Sequence, residues 1–444
     1  MQWDSRIQSL LINSFQKMLR FEERLEELRT MPYASDAPQA FIDLLFEVER
    51  HVYVRLIELN ELFVQTDEDD QVTLEPLFDR IRALSKFLSE LYSLLVPPLE
   101  SSRTVRNPAS VSLPVEHLAK ALAPHSVVLL YPSPICNYSY FNILSKNFLK
   151  HPNYSDLFPP EQFDRYPDYF VLLAVPDVLR DDILSHAIVG HEIGHLVGEY
   201  YDIVESALRT DLRTADRVLH VERKALKTYF DEYVADIVAV NIFGPASFFG
   251  IIEFATSIID LVVTTASHPP VILRVKNMLD AMKEYGQRQF FSRNNSEISL
   301  KVNELLRAWE HLAEQEYKRL KRSTSGDVYD ILKPALDRAI VLVKENVPER
   351  FQLRLDKRIF EFVVGMIDKG IPPSSEMVEN VCTPVEFNTI LNASWLYKIW
   401  RFLERQQISS LDDADSYGVK LKDLTRLTQK AVEQSETISW YLSE

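Results

Sequence analysis

The segment ILSHAIVGHEIGHLVGEYY spans residues 183–201 and contains two histidines, His191 and His195, four positions apart. Apolar residues recur in it at spacings of three and four, a pattern typical of an amphipathic helix. Side chains four residues apart project from the same face of a helix, about one turn from each other. The segment therefore predicts a helix whose two imidazoles can bind a single ion.

Glu192 completes the sequence His-Glu-x-x-His, in which two histidines bind zinc and the glutamate acts as a base. Because Glu192 is one residue away from His191, we expect it to face the open side of the ion, where it can deprotonate a water molecule. So short a motif also arises by chance, and other ligands must support it. We predict one Zn²⁺ per chain; the donor set also suits other divalent ions, and the motif favours zinc.

A third ligand is predicted in the segment FDEYVADIVAVNIFG, residues 230–244. Its apolar pattern indicates a helix, on which Glu232 and Asp236 share one face. Two carboxylates on such a face are costly to bury unless a positive group meets them. We expect Glu232 to bind the metal and Asp236 to accept a hydrogen bond from the metal-free nitrogen of a ligand histidine. The alternative is that water solvates both acids.

A third element, ASHPPVILRVKNMLDAM, covers residues 266–282. His268 precedes two prolines that restrict the backbone, and Arg274 lies in the helix-like stretch that follows. In a chain with a zinc site, a histidine on a restricted turn is a candidate for stabilising the oxyanion that forms when water attacks a carbonyl.

Together the three elements resemble the HtpX-like gluzincin metallopeptidases, a family that includes the CAAX prenyl endopeptidases. The resemblance runs from Val171 to about Leu279 and includes VLLAVPDVLRDDILSHAIVGHEIGH, EYVAD and SHPPVILRV, in the order of the family. It implies a zincin-type core with the following roles: His191, His195 and Glu232 as zinc ligands, Glu192 as general base, Asp236 as a supporting acid, His268 near the metal or the oxyanion, and Arg274 lining the cleft.

Many members of that family carry transmembrane helices, some of them between the second histidine and the third ligand. Here residues 196–231 include many charged side chains and are predicted not to span a bilayer. The apolar run at residues 248–263 is interrupted by Glu253 and Asp260, which favours a buried helix. We therefore predict no membrane span, and a protein or peptide as the substrate.

Composition limits the class of protein further. The 444 residues include only 10 glycines and are 46% hydrophobic, which favours a mainly α (α+β) fold. A net charge of -16 is unfavourable for binding nucleic acid. Two cysteines, Cys136 and Cys382, are too few for a disulfide framework, and the N-terminal residues show no secretory signal, so a cytoplasmic location is predicted.

The chain is predicted to contain four regions. An N-terminal helical bundle covers residues 1–96, and a linker rich in proline and serine covers residues 97–114. A zincin core at residues 115–285 includes strands at 126–131 and 169–175, forming a small sheet beside the metal helix. Peptide substrate is expected along the edge of the strand near Leu172. Residues 286–444 form a C-terminal helical region.

These predictions converge on a soluble zinc endopeptidase, with two alternatives. In the first, the protein is a binding or regulatory module whose site has become structural, or whose site is latent because His268 closes it as a fourth ligand. In the second, the helical flanks recruit a protein partner, and proteolysis occurs only in that complex.

Overall fold

The computed structural model describes the chain except residues 1, 68–69, 105–108, 136, 145–165, 212–219, 259–260, 264, 266–267, 295, 322–323, 379–380, 403–410 and 444. It confirms a mainly helical protein with small sheets. The elements are α1 (Gln2–Arg29), α2 (Ala37–Gln65), α3 (Gln71–Ser101), α4 (Ala109–Leu122), β1 (Ser126–Ser133), β2 (Ser139–Asn142), β3 (Tyr169–Pro176), α5 (Val189–Tyr200), α6 (Ile203–Asp211), α7 (His220–Ile258), α8 (Val271–Glu284), α9 (Gln287–Arg293), α10 (Glu297–Leu320), α11 (Thr324–Asn346), α12 (Lys357–Asp368), β4 (Ser375–Val378), β5 (Val381–Pro384), α13 (Phe387–Phe402) and α14 (Leu411–Ser443).

The chain forms two compact units, which differ from the predicted regions. The first consists of Met1–Glu116 with His125–Asp177, and the second of His117–Pro124 with Val178–Glu444. Strands β1 to β3 therefore belong to the first unit, whereas α5, which carries the predicted metal ligands, belongs to the second. The C-terminal helices are in the same unit as α5.

In the first unit, helices α1 to α3 and the sheet share one hydrophobic core. Leu129 of β1 and Phe170 and Leu172 of β3 are buried in the same cluster as the apolar stripes of the three helices. The Phe41 ring of α2 packs edge-on against Phe170, with centroids 5.1 Å apart. The strands thus bury their side chains against the N-terminal helices, which is why the unit extends beyond residue 96.

The expectation that peptide lies along the strand edge near Leu172 is wrong. The sheet has the order β1-β3-β2, so β3 is its middle strand. Leu172 pairs with Leu129 of the parallel strand β1 and with Phe141 of the antiparallel strand β2. The main-chain hydrogen bonds that an added strand needs are therefore already made at this position.

The prediction of a linker at residues 97–114 is also wrong for residues 97–101 and 109–114, which are helical. Helix α3 continues through Pro97 and Pro98 to Ser101, and α4 begins at Ala109. The apolar stripe of α3 continues into this stretch, where Leu99 is fully buried. Burial of this stripe outweighs the cost of two prolines, each of which removes one N–H donor from the helix.

In the second unit, α5 lies unusually close to α7, because glycines occupy the face of α5 between them. An added Cβ at Gly194 would lie 2.5 Å from the carbonyl oxygen of Ala235 and 2.7 Å from its Cα. One at Gly190 would lie 2.5 Å from a ring carbon of Phe243. The backbones can therefore approach only where α5 has no side chain, and this approach brings the acids of α7 to the histidines of α5.

Helix α7 is broken at Gly244, whose φ of 50° and ψ of -130° lie outside the helical region, and Pro245 follows. Only glycine adopts such a conformation without strain. Other elements bond to backbone groups around the break: Leu353 N donates to Asn241 O at 2.8 Å, Gln287 Nε2 to Val240 O at 2.9 Å, and Ala246 N to Asn392 Oδ1 at 3.1 Å.

The segment Leu226–Thr256 of α7 is the one described helix that is long and apolar enough to cross a membrane. Of its most apolar window, 89% is buried inside the protein, and the core helix of a soluble protein has the same properties. In the second half of α7, the side chains of Phe248, Phe249, Ile251, Ile252 and Ala255 are buried, and Glu253 forms an ion pair with Lys398 of α13. The prediction of a buried helix for residues 248–263 is confirmed only for this part, because α7 ends at Ile258 and Val262 and Val263 are exposed.

The C-terminal region is helical as predicted, with one exception. Strands β4 and β5 pair antiparallel, an arrangement that periodicity did not indicate. Helix α13 includes the aromatic segment from Ser394, and its Trp395 is buried. The indole N–H of Trp395 donates to the carbonyl of Leu184 at 2.6 Å, which ties this helix to the turn leading into α5.

We predict that Gly194→Ala lowers the apparent unfolding temperature and Gly198→Ala does not. At Gly194 the new Cβ meets backbone, and overpacking of this kind costs about 1–3 kcal/mol. At Gly198 the nearest atom, Val234 Cγ1, is 3.4 Å away, and alanine favours the helix by up to about 1 kcal/mol. Thermal unfolding followed by circular dichroism tests this; equal effects of the two variants would contradict it.

Candidate metal centre

Helices α5 and α7 bring His191, His195 and Glu232 together in a group that can hold a metal ion, with one ligand atom of each within 4.8 Å of the others. Oε2 of Glu232 lies 3.3 Å from Nε2 of His191, and its Oε1 lies 3.7 Å from Nε2 of His195. Ligand atoms bound tetrahedrally to zinc at 2.0–2.1 Å are about 3.3 Å apart. The spacing of the Glu232 oxygens from the imidazoles is close to this value.

Asp236 and Arg274 hold the first histidine from behind. Oδ1 of Asp236 lies 2.9 Å from Nδ1 of His191, so its carboxylate faces the ring nitrogen opposite the one that faces Glu232. Arg274 donates from Nε and Nη2 to the two oxygens of Asp236 at 2.8 and 2.7 Å. Arg274 is itself buried, and its guanidinium also approaches the ligand group: Nη1 lies 3.7 Å from Oε2 of Glu232, and Nη2 lies 3.3 Å from Nδ1 of His191.

His195 has a corresponding partner that was not predicted. Oδ2 of Asp231 lies 3.3 Å from Nδ1 of His195. Asp231 is adjacent to Glu232 in the sequence, and its position in the helix, about 100° away from Glu232, gave no indication that it reaches the same site. The sequence signal that could have identified it is the pair of adjacent acids opposite a histidine pair.

Glu192 is buried beside these groups, only 7% exposed. Burial raises the pKa of its carboxyl group, although the histidines and Arg274 counteract this. A base with a raised pKa takes up a proton more readily near neutral pH than an ordinary glutamate does. Its position on the same helix turn as His191 is the one that the motif predicts.

His268 approaches the group from a turn before α8. Its Nε2 lies 3.6 Å from Oε2 of Glu232, and the side chain is 41% exposed. The turn is tied to α7 because the hydroxyl of Tyr229 donates to the carbonyl of Thr265 at 2.8 Å. Thr265 in turn accepts a hydrogen bond from the backbone N–H of His268 at 2.9 Å through its side-chain hydroxyl. Tyr229 thus helps to position His268, a role that the sequence did not indicate.

The charges of the site fit a divalent cation. Among the described residues, Oε2 of Glu232 is buried and has no hydrogen-bond partner, an arrangement that is costly in a protein interior. The buried groups Glu192, Glu232 and Asp236 carry three carboxylates against the single guanidinium of Arg274. A divalent ion between the imidazoles and Glu232 would neutralise the excess and bind this oxygen, which otherwise lies 3.3 Å from Nε2 of His191 and 3.7 Å from Nη1 of Arg274.

Without a metal ion, a proton on His191 supplies positive charge to these carboxylates. Burial and Arg274 lower the pKa of His191, but Asp236 and Glu232 outweigh them and raise it to about 10. Burial alone would raise the pKa of Glu232, yet the adjacent histidines and Arg274 hold it below its usual range. The site therefore stabilises positive charge on His191, and a metal ion that bound Nε2 of His191 would compete with a proton there.

We predict that His195→Ala and Glu232→Gln weaken zinc binding by more than about 100-fold, since loss of a direct ligand exceeds the effect of losing a supporting residue. Glu192→Gln is expected to keep the metal because Glu192 is not in the ligand group. The exposed His311 provides a matched control through His311→Ala. Competition with a chromophoric chelator measures the affinity, and unchanged binding in Glu232→Gln would contradict the assignment.

No model of a known protein family matches this chain, and no curated protein or solved structure is significantly similar to it. The resemblance to the gluzincin metallopeptidases therefore rests on the motifs themselves. What the geometry adds is that the residues of the three motifs, far apart in sequence, lie together around one candidate metal centre.

Proposed function

We propose that this protein is a zinc-dependent endopeptidase with a zincin-type catalytic core. The observation that carries the proposal is the combination of a three-residue ligand group with a buried glutamate on the same helix. A structural metal site needs ligands only, whereas Glu192 offers a base next to them and is not one of them. Three protein ligands also leave a tetrahedral ion one open position.

The chain's own residues divide the chemistry between them. A zinc ion held by His191, His195 and Glu232 would polarise a peptide carbonyl and make water more acidic. Glu192 accepts the proton of the attacking water and returns it to the amine that leaves. His268, half-buried and 3.6 Å from Glu232, donates a hydrogen bond to the oxyanion of the substrate.

We propose a protein or peptide as the substrate and the cytoplasm as the location. The net charge of -16 disfavours nucleic acid, because phosphates require a basic surface. The long apolar helix α7 supplies Glu232 and Asp236 to the site and is mostly buried, so its apolar character serves the protein core. Exposed apolar side chains on α1, such as Ile12 and Leu19, offer a surface for a protein partner.

The proposal predicts cleavage that depends on Glu192. Newly created protein N-termini are compared between cells that produce the wild type and cells that produce Glu192→Gln. A set of cleavages found only with the wild type is the expected result, because the variant keeps the metal and the shape of the site but lacks the base. Identical profiles from two metal-loaded proteins would refute the endopeptidase.

The alternative is a latent or structural zinc site, closed by His268 as a fourth ligand. It is favoured by the position of His268 Nε2, 3.6 Å from the ligand oxygen of Glu232. In that case the protein would act as a binding or regulatory module, because four protein ligands leave no position for water.

Cobalt substitution separates the open site from the closed one. For the open site, azide is expected to change the visible absorption of the cobalt-substituted wild type, because it enters the free position. If azide leaves the visible absorption of the cobalt-substituted wild type unchanged but alters that of cobalt-substituted His268→Ala, the site is closed by His268. This outcome would contradict the endopeptidase.

A further inference from the structure

We infer that Asp231 positions His195 for metal binding, an inference that rests on the proposed metal site. Oδ2 of Asp231 lies 3.3 Å from Nδ1 of His195, and Oε1 of Glu232 lies 3.7 Å from Nε2 of the same ring. Two consecutive acids of α7 thus contact the two nitrogens of one imidazole. The acid on the Nε2 side belongs to the ligand group, and the acid on the Nδ1 side does not.

The chemistry of the two groups assigns the role. A neutral imidazole has one N–H donor and one acceptor nitrogen, and an ionised carboxylate can only accept. Asp231 therefore selects the form of His195 that carries its hydrogen on Nδ1. This leaves the lone pair of Nε2 directed to the side of Glu232, where a metal ligand is needed. Without Asp231, both forms of the ring and more of its orientations become accessible.

The two histidines are supported differently. His191 is held by Asp236, which is fully buried and fixed by the two hydrogen bonds from Arg274. The side chain of Asp231 is 44% exposed, at the edge of the site. Substitution of Asp231 therefore removes the support of one ligand without leaving an unpaired buried charge, and the variant is expected to fold.

The test compares zinc affinities, measured by competition with a chromophoric chelator, in the full-length wild type and three variants. Asp231→Ala is expected to weaken binding about 10–100-fold, the usual effect of losing the partner of a ligand histidine. Asp231→Asn is expected to lose less, because its amide oxygen still accepts the hydrogen bond from Nδ1. This partial rescue distinguishes positioning from a general effect on packing.

Glu205→Gln is the matched control for the loss of one negative charge. Glu205 lies on α6, its side chain is 42% exposed, and it pairs with Lys227. Its substitution is expected to leave the zinc affinity unchanged within about twofold at physiological salt, where exposed charges are screened. An equal loss in Glu205→Gln and Asp231→Ala would overturn the inference, since the effect would then be one of net charge.

The outcomes also separate this inference from the function on which it rests. A wild type that binds zinc tightly, with an Asp231→Ala variant of the same affinity, overturns the role of Asp231 alone. A wild type that does not bind zinc overturns both. If circular dichroism shows that Asp231→Ala is unfolded, the test rests on Asp231→Asn. This variant is then expected to bind zinc more weakly than Glu205→Gln does. Equal zinc affinities of the two variants would overturn the inference.

Discussion

The close approach of α5 and α7 is the constraint on which the site depends. Gly194 lies so near the backbone of Ala235 that any side chain would overlap with it. At this separation the histidines of α5 and the carboxylate of Glu232 come within the distance at which one ion can bind all three. If the helices were further apart, one ion could not reach the histidines of α5 and the carboxylate of Glu232 at the same time. The glycines of α5 therefore serve the chemistry through packing.

Burial of charge is the second constraint, and pairing is how the protein meets it. Asp236 is fully buried, and a lone carboxylate there would be strongly unfavourable. It is compensated by Arg274 on one side and by His191 on the other. Glu232 lacks such complete compensation, because its Oε2 has no hydrogen-bond partner among the described residues. The buried charge of Asp236 is thus compensated, whereas that of Glu232 is compensated only in part, as expected of a site that binds a cation.

One short segment of α7 organises most of these contacts. Within residues 229–236, Asp231 and Glu232 face His195, and Asp236 faces His191. Tyr229 ties down the turn that carries His268. Further along α7, backbone groups near the break at Gly244 form hydrogen bonds with residues of other elements, including one from Ala246 N to Oδ1 of Asn392 on α13. The C-terminal region therefore supports the helix from which the site is built.

The sequence by itself determined the features that depend on spacing within one helix or strand. Two histidines four residues apart on α5 and two acids four apart on α7 must share a face, and the helices between residues 10 and 95 follow from their apolar stripes. The strands of β1 and β3 were likewise predicted from short apolar runs. These features are local, because they depend on the spacing of residues within one element and not on contacts with other elements.

Only the tertiary structure decided which groups meet across elements. It paired Asp231 with His195, turned Arg274 inward onto Asp236, placed β3 in the middle of its sheet and continued α3 through two prolines. The physical reason is the same in each case. Distances between elements depend on the side chains, or glycines, that separate their backbones, and burial against a neighbour can outweigh a local preference such as that of proline.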